Sequence, residues 1–217
     1  MNSTDFFQRM GPTYLPGETH TGVSDWSNCK RCVLHHTRKR VAIIRRGGYG
    51  KLRILFIGEA PGQTEDVTGH PFVGLSGRIL NFMFTKVREP FTYLITNAVG
   101  CRPVDLVMLD ANDDKMLRKG LDLSKYVLGD DYELQDFNRQ PTRIEIDTCK
   151  PHIDELVSTF EPHAIVRLGV TARSYQSKLP TLDLLHPAAI ARLECKLLTV
   201  LKETHKLELF LEKLAGI

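Results

Sequence analysis

No apolar run in the 217 residues approaches the ~18 that a membrane span needs, so no transmembrane segment is expected. The opening stretch, MNSTDFFQRMGPTYLPGETH, has no basic n-region followed by an apolar h-region, so no signal peptide is read and an intracellular, cytoplasmic protein is expected. Cysteines are few. Five in a reducing compartment do not make a disulfide framework, which leaves metal, a cluster or plain buried thiols. A second C-x-x-C knuckle, usual in a zinc ribbon, is missing. No internal repeat or low-complexity tract is present, which excludes a solenoid or an array.

What is present is the composition of one soluble globular domain: 42% hydrophobic and 25% charged residues, enough apolar material for a core. The net charge of +3 hides an asymmetry. Residues 104–137 carry nine acids and four bases, a net of −5, which leaves +8 on the remainder. A moderately basic body is compatible with nucleic acid, although a solvated surface explains the charge equally well.

The chain is organised around Arg53 to Leu80. Ile54 to Ile57 is an apolar run of strand length. It breaks at Gly58, and Glu59-Ala60-Pro61-Gly62 cannot continue a regular ladder. Glu65-Asp66, then Pro71-Phe72-Val73-Gly74, lead into a helical pattern from Arg78 to Met83. A buried strand that ends in a Gly/Pro loop before a helix is where open α/β sheets place ligands. Phe72, between Pro and Val-Gly rather than in an apolar period, is a ring available to a ligand as much as a core residue.

Residues 1–27 read as a loosely ordered arm, with a short helix near Asp5 to Arg9. The C-x-x-C at Cys29 and Cys32 follows no strand, which favours metal over a redox pair. Next comes a basic segment with Arg38, Lys39, Arg40, Arg45 and Arg46, read as a track for phosphates. Within it Val41–Ile44 is a strand candidate and 45–48 a turn. Further strands are expected at Phe91–Thr96, Ala164–Gly169 and Thr181–Leu185. Helices are expected at Arg143–Phe160, kinked or broken at Pro151, at Val170–Lys178, and from Ala191 to the C-terminus. In that last helix Leu193, Leu197, Leu198, Leu201, Leu207 and Leu211 form a core-facing stripe. Thr142 and Glu145 make a capping-box pattern. The acidic block 104–137 reads as an insertion, partly helical.

This alternation predicts a three-layer α/β/α fold around a four-stranded, mainly parallel sheet. Gly58 to Phe72, Asn97 and His186 then share one crevice at its carboxyl edge. Asn97 both donates and accepts, so it can address the edge of a base, though a turn-capping Asn is the alternative. Cys101 and Cys149 are isolated. With Cys29 and Cys32 they suit a cluster held between segments, but 68 and 47 residues intervene and spacing alone is a weak signal. Cys195 reads as a buried thiol.

Several segments together resemble one family. CKRC with TRKRV, GEAPGQTEDVTGHPFVG, TNAVGCRP, NRQPTRIEIDTCKPHI and HPAA look like the successive motifs of the iron–sulfur (family 4) uracil-DNA glycosylases, and they cover most of residues 29–192. The resemblance implies a monofunctional enzyme that flips uracil out of DNA, hydrolyses its N-glycosidic bond and leaves an abasic site. Cys29, Cys32, Cys101 and Cys149 would hold a structural [4Fe–4S] cluster. Phe72 would stack on the base, and Asn97 would bond N3–H and O4. Glu65 would crowd C5 against thymine, and His186 would face O2. Gly58 and Ala60 would lend backbone contacts, Glu59 would help to place a water, and Ile190 or Arg192 would fill the gap left in the duplex. The resemblance also implies a monomer working on DNA near the nucleoid.

Three departures accompany it: the acidic insertion after Pro103, Ala188 where the family has Ser after His-Pro, and a shortened segment 178–185. The alternatives carried forward are the same fold acting on another modified or deaminated base, a non-catalytic module that binds DNA or a protein partner through 104–137, and four cysteines holding zinc.

Overall fold

The structure is a computed structural model that describes residues 26–110, 116–119 and 132–216. Expectations for the N-terminal arm, including the helix at Asp5 to Arg9, fall outside those residues.

The apolar run becomes the centre of the sheet. β1 spans Arg45–Gly48, β2 Leu52–Gly58 and β3 Phe91–Asn97. Outside this sheet lie β4 (Val104–Asp110), β5 (Met116–Lys119) and β6 (Tyr132–Asn138). β7 (Ala164–Leu168) and β8 (Thr181–Leu184) complete the main sheet, whose order is β1-β3-β2-β7-β8. β2 pairs in parallel with β3 and with β7, β7 pairs in parallel with β8, and β1 joins β3 antiparallel.

The sheet therefore has five strands, not four. The extra strand forms where the sequence reads as a turn. Val41–Ile44 is not a strand; Arg45–Gly48 is, because these residues pair with Thr92–Ile95 at the open edge of β3. An antiparallel edge strand on a parallel sheet is common, and at such an edge Gly residues cost less than in the interior.

Residues along β2 alternate between two cores. Ile54 and Phe56 point to one face, Leu55 and Ile57 to the other, and all four have no exposed surface. Burial on both sides is what a continuous apolar strand signals. On the first face pack α2 (Leu75–Lys86), α4 (Pro187–Ala191) and α5 (Lys196–Ala215). On the second pack α3 (Arg143–Phe160) and a 3₁₀ turn at Thr171–Ser174. The short α1 (Gln63–Thr68) lies in the loop after β2, where no helix was expected.

Three helix expectations change. α3 runs unbroken through Pro151. The carbonyl that Pro151 leaves without a partner belongs to Asp147, and both residues are exposed, so water can take the bond. Val170–Lys178 holds one 3₁₀ turn rather than a helix. The C-terminal helix is divided between α4 and α5 at residues 192–195. Leu207 and Leu211 are buried as expected, but Leu193, Leu197, Leu198 and Leu201 are exposed. In the first turns past the break, Val200 and not Leu197, Leu198 or Leu201 faces the core.

The acidic block is a second, three-stranded antiparallel sheet of order β5-β4-β6, so its described part is strand and not partly helical. β4 and β6 pair from Val104↔Asn138 to Asp110↔Tyr132. Arg102 Nε donates to Asn138 Oδ1 at 2.6 Å, and Arg139 pairs with Asp105 at 3.6 Å and with buried Glu145 at 2.6 Å. Glu145 also closes the capping box with Thr142 that the sequence signals.

Candidate nucleobase site and thiol cluster

β2 has β3 on one side and β7 on the other, so the strand order reverses about it. The crevice at the carboxyl ends of these strands is where such sheets bind ligands. Gly58 ends β2 and stands opposite Asn97 at the end of β3. Ala98 N donates to Gly58 O at 2.9 Å, which ties the two strand ends together. A β-carbon on Gly58 would lie 2.4 Å from Asn97 Oδ1 and 2.5 Å from Phe72 Cζ. Only a bare backbone lets the amide and the ring meet there.

Phe72 is 4% exposed and has φ of 56°, the left-handed region that a residue with a β-carbon seldom adopts. Its surroundings enforce this. The Glu65 carboxylate accepts from Gly62 N at 3.2 Å, Val73 N at 3.1 Å and Gly74 N at 2.9 Å. A β-carbon on Gly77 would fall 1.7 Å from the Phe72 carbonyl oxygen, so the first turn of α2 must carry a glycine at that point. Asp66, 2% exposed, accepts from Lys39 N at 2.9 Å and so binds the basic segment to the same loop.

His186 caps α4. Its Nδ1 accepts from Ala188 N at 3.1 Å, which assigns the proton of the neutral ring to Nε2. Burial lowers the imidazole below its ordinary range; Glu59 opposes this and Arg192 adds to it. The ring sits 5.7 Å from that of Phe72, tilted by 39°. Gly169, at φ of 87°, backs it closely: a β-carbon there would be 2.9 Å from His186 Cβ. Asn97 Oδ1 and His186 Nε2 are both buried with no hydrogen-bond partner among the described residues. Burying an unpaired polar atom costs about 1–3 kcal/mol, so two beside one ring mark a place where a ligand supplies the partners.

Glu59 accepts from Thr171 Oγ1 at 2.6 Å. Thr171 was not among the sequence candidates. Its signal was available, since it follows Gly169 at the end of β7, the remaining strand end of the crevice. Ala60 is half-buried and packs toward the cysteines.

Those cysteines gather beside the crevice. Cys32, Cys101 and Cys149 pack with Leu34, Val99 and Ile146, and Cys29 is near enough that its charge would be felt at Cys32 and Cys149. Burial pushes the Cys101 thiol up to about 12 and Cys149 up to about 11. Arg38 acts the other way on Cys101, donating to its Sγ at 3.7 Å. Four thiols from three segments, in an apolar pocket with a guanidinium on one of them, fit an anionic metal–sulfur group. Among the described residues no three His, Cys, Asp or Glu side chains close on a point as a single ion requires. Cys195 is exposed, not buried, because it stands in the break before α5.

The expected phosphate track divides. Lys39, Arg40, Arg46 and Arg192 are exposed. Arg38 is half-buried, its Nη1 donating to Cys101 Sγ at 3.7 Å and its Nη2 to Ser27 O at 2.9 Å, so its donors are engaged within the protein. Arg45 is 4% exposed and is not presented to a phosphate. Ile190 is wholly buried and cannot enter a duplex; Leu193, 42% exposed in the turn after α4, is the apolar side chain presented there. Among the described residues no helix is long and apolar enough to cross a membrane.

Comparison with known proteins agrees with this geometry. The chain is similar to the Type-4 uracil-DNA glycosylase of Saccharolobus solfataricus, 31% identical over 154 residues that make 69% of this chain and 55% of that protein. It is similar to the protein of the same name from Thermotoga maritima, 32% identical over 151 residues, 68% of this chain and 59% of the other. The one from Archaeoglobus fulgidus is 29% identical over 155 residues, 70% and 60% respectively. The chain thus spans a little over half the length of the curated relatives it matches. The family model for the uracil DNA glycosylase superfamily matches residues 45–215, and with the strand-end crevice it closes, the chain belongs to that superfamily.

Proposed function

We propose that this protein excises uracil from DNA by hydrolysing the N-glycosidic bond of a flipped nucleotide. The observation that carries the reading is the pair of unpartnered buried atoms, Asn97 Oδ1 and His186 Nε2, both beside the Phe72 ring. A base cannot be attacked inside the stack, so the enzyme must receive it extruded. Uracil offers N3–H to the Asn97 carbonyl oxygen and O4 to its amide NH₂. Cytosine has acceptor and donor exchanged at those positions and would leave Asn97 opposed. Glu65, its carboxylate immobilised by three backbone N–H groups, crowds C5 and disfavours thymine.

As the glycosidic bond breaks, its electron pair goes to the base, and negative charge spreads to O2. The neutral His186 ring directs its Nε2–H there. A donor fixed in advance where charge develops is worth about 10²–10³ in rate. Glu59, fixed by Thr171, stands near enough to influence His186 and serves to orient the water that attacks the sugar. Gly58 and Ala60 present backbone to the base. Lys39, Arg40, Arg46 and Arg192 hold phosphates, and Leu193 takes over from Ile190 as the side chain that fills the vacated stack.

Cys29, Cys32, Cys101 and Cys149 hold a structural [4Fe–4S] cluster in this reading. When bound, the cluster joins the basic segment to the sheet; no chemistry at the base is routed through it. Support comes from the apolar pocket that Cys32, Cys101 and Cys149 share and from the guanidinium of Arg38 on Cys101. A visible absorption band in anaerobically purified protein checks it, since zinc thiolates are colourless.

The test of function is a labelled oligonucleotide with a single uracil, treated with alkali after incubation. Strand breakage is expected, and it should be lost in His186→Ala. Folded, brown protein that leaves the uracil strand intact would overturn the reading.

A further inference from the structure

Arg45 is a charged side chain with an unusual position. It sits on the edge strand β1, yet it is 4% exposed. Nη1 donates to the Phe72 carbonyl oxygen at 2.6 Å, Nη2 donates to Asn81 Oδ1 on α2, and the guanidinium carbon lies 6.0 Å from the centre of the Tyr93 ring. All three neighbours are neutral. A guanidinium buried against neutral groups is costly unless its donors are used well. The donors here meet the carbonyl of a residue in the left-handed region, which no regular ladder would satisfy. The side chain thereby links three elements: the sheet edge, the loop after α1 and the middle of α2.

From this geometry we infer that Arg45 is a positioning residue that locks the Phe72 backbone in its left-handed conformation and so fixes the ring over the Gly58 end of the base slot. The lock stands on the contacts alone; its effect on catalysis rests on the uracil reading above. Arg45 touches neither the base nor the reacting atoms. The planar fork explains why arginine is there: two donors in fixed geometry reach a carbonyl and an amide together, which a single ammonium cannot reproduce. Tyr93 completes the seat by presenting its ring to the cation.

Two readouts separate the lock from its consequence. The first is backbone hydrogen exchange over residues 69–77 in Arg45→Met and Arg45→Lys. Exchange there should speed up at least about tenfold in Arg45→Met, and by less in Arg45→Lys, while β2 and β7 stay protected, because one hydrogen bond to a charged group is worth roughly 10–100-fold. The second is the single-turnover rate of uracil excision at saturating enzyme. It should fall about 10–100-fold in Arg45→Met and less in Arg45→Lys. In a Phe72→Ala background, Arg45→Met should cost nothing further, since the residue acts through that ring. A general structural role predicts the opposite: losses that add in the double variant, and exchange that rises across the whole sheet. Either result overturns the proposal, as does unchanged exchange in residues 69–77. If Arg45→Met does not fold, Arg45→Lys decides by the same measurements. A wild-type protein inactive on uracil but with exchange that responds as described would refute the substrate and leave the lock in place.

Discussion

Replacing Gly58 with alanine tests the slot at its narrowest point. The added methyl would lie 2.4 Å from Asn97 Oδ1 and 2.5 Å from Phe72 Cζ, whereas ordinary contact begins at 3.4 Å. Something must therefore move by about 1 Å. Neither neighbour is free to do so cheaply. Phe72 is held by Arg45 and by the amides that Glu65 braces, and Asn97 is fixed by its register opposite Gly58. Overpacking of this kind costs about 1–3 kcal/mol of stability. The larger effect is on rate: a catalytic group displaced by 1 Å can lose about 10²-fold. Single-turnover excision and a thermal melt, run on the same preparation, separate the two. The expected outcome is a modest drop in melting temperature with a rate about 10²-fold lower at saturating enzyme. A folded Gly58→Ala protein that excises uracil at the wild-type rate would show that the base does not lie against Asn97 and Phe72.

Three further outcomes follow from the same geometry. His186 is held below its ordinary pKa by burial, so it stays neutral as pH falls through 6.5, and the excision rate should be flat across that range and decline only below it; an inflection at or above 6.5 in the wild-type profile would contradict the assignment of Nε2–H as donor. Thr171→Val removes the hydroxyl that holds Glu59 and should lower kcat about tenfold with KM unchanged, while Thr171→Ser keeps most activity; equal rates in both variants would remove Glu59 from the reaction. His152, 3% exposed behind Thr96, is lowered to about 4 by burial. The unfolded chain takes up a proton near 6.5 that the folded chain refuses, so stability should be lost as pH falls from 6.5 toward 4, by about 3 kcal/mol in all. Urea melts at the two ends of that window should differ less in His152→Phe; an identical pH dependence would refute the linkage.

The central strand and the crevice were legible in the sequence because each rests on local chemistry, whereas the grouping of the four cysteines came only from the family resemblance. An apolar run broken at Gly58 can only be a buried strand ending at a loop, and Asn97 and His186 each follow a strand. What the sequence hid was decided by partners far along the chain. Arg45 and Arg46 look alike as neighbours in a basic run, yet Arg45 finds Phe72 and Asn81 and is buried while Arg46 stays in solvent. The strand at 45–48 exists because β3 offers an open edge, not because Gly47 and Gly48 favour one. Leu193 to Leu201 keep a helical period that outlasts the core it was expected to face, since the break at 192–195 turns Val200 inward instead. Thr171 is marked in the sequence only by its place after Gly169 at a strand end, and its role shows when it is set against Glu59.

The acidic sheet leaves the body and returns at a single pair of residues, Val104 and Asn138. Paired strand positions are about 5 Å apart, whatever lies beyond them. The path from Cys101 to Cys149 is therefore closed at the foot of the ribbon, where Arg102 and Arg139 bolt it down. A change in chain length between Asp110 and Tyr132 is cheap by closure entropy, since doubling the number of residues between two fixed ends costs only about 0.6 kcal/mol. A tree of such proteins should show drift in length concentrated between residues 110 and 132, with the thiol spacing in space left untouched.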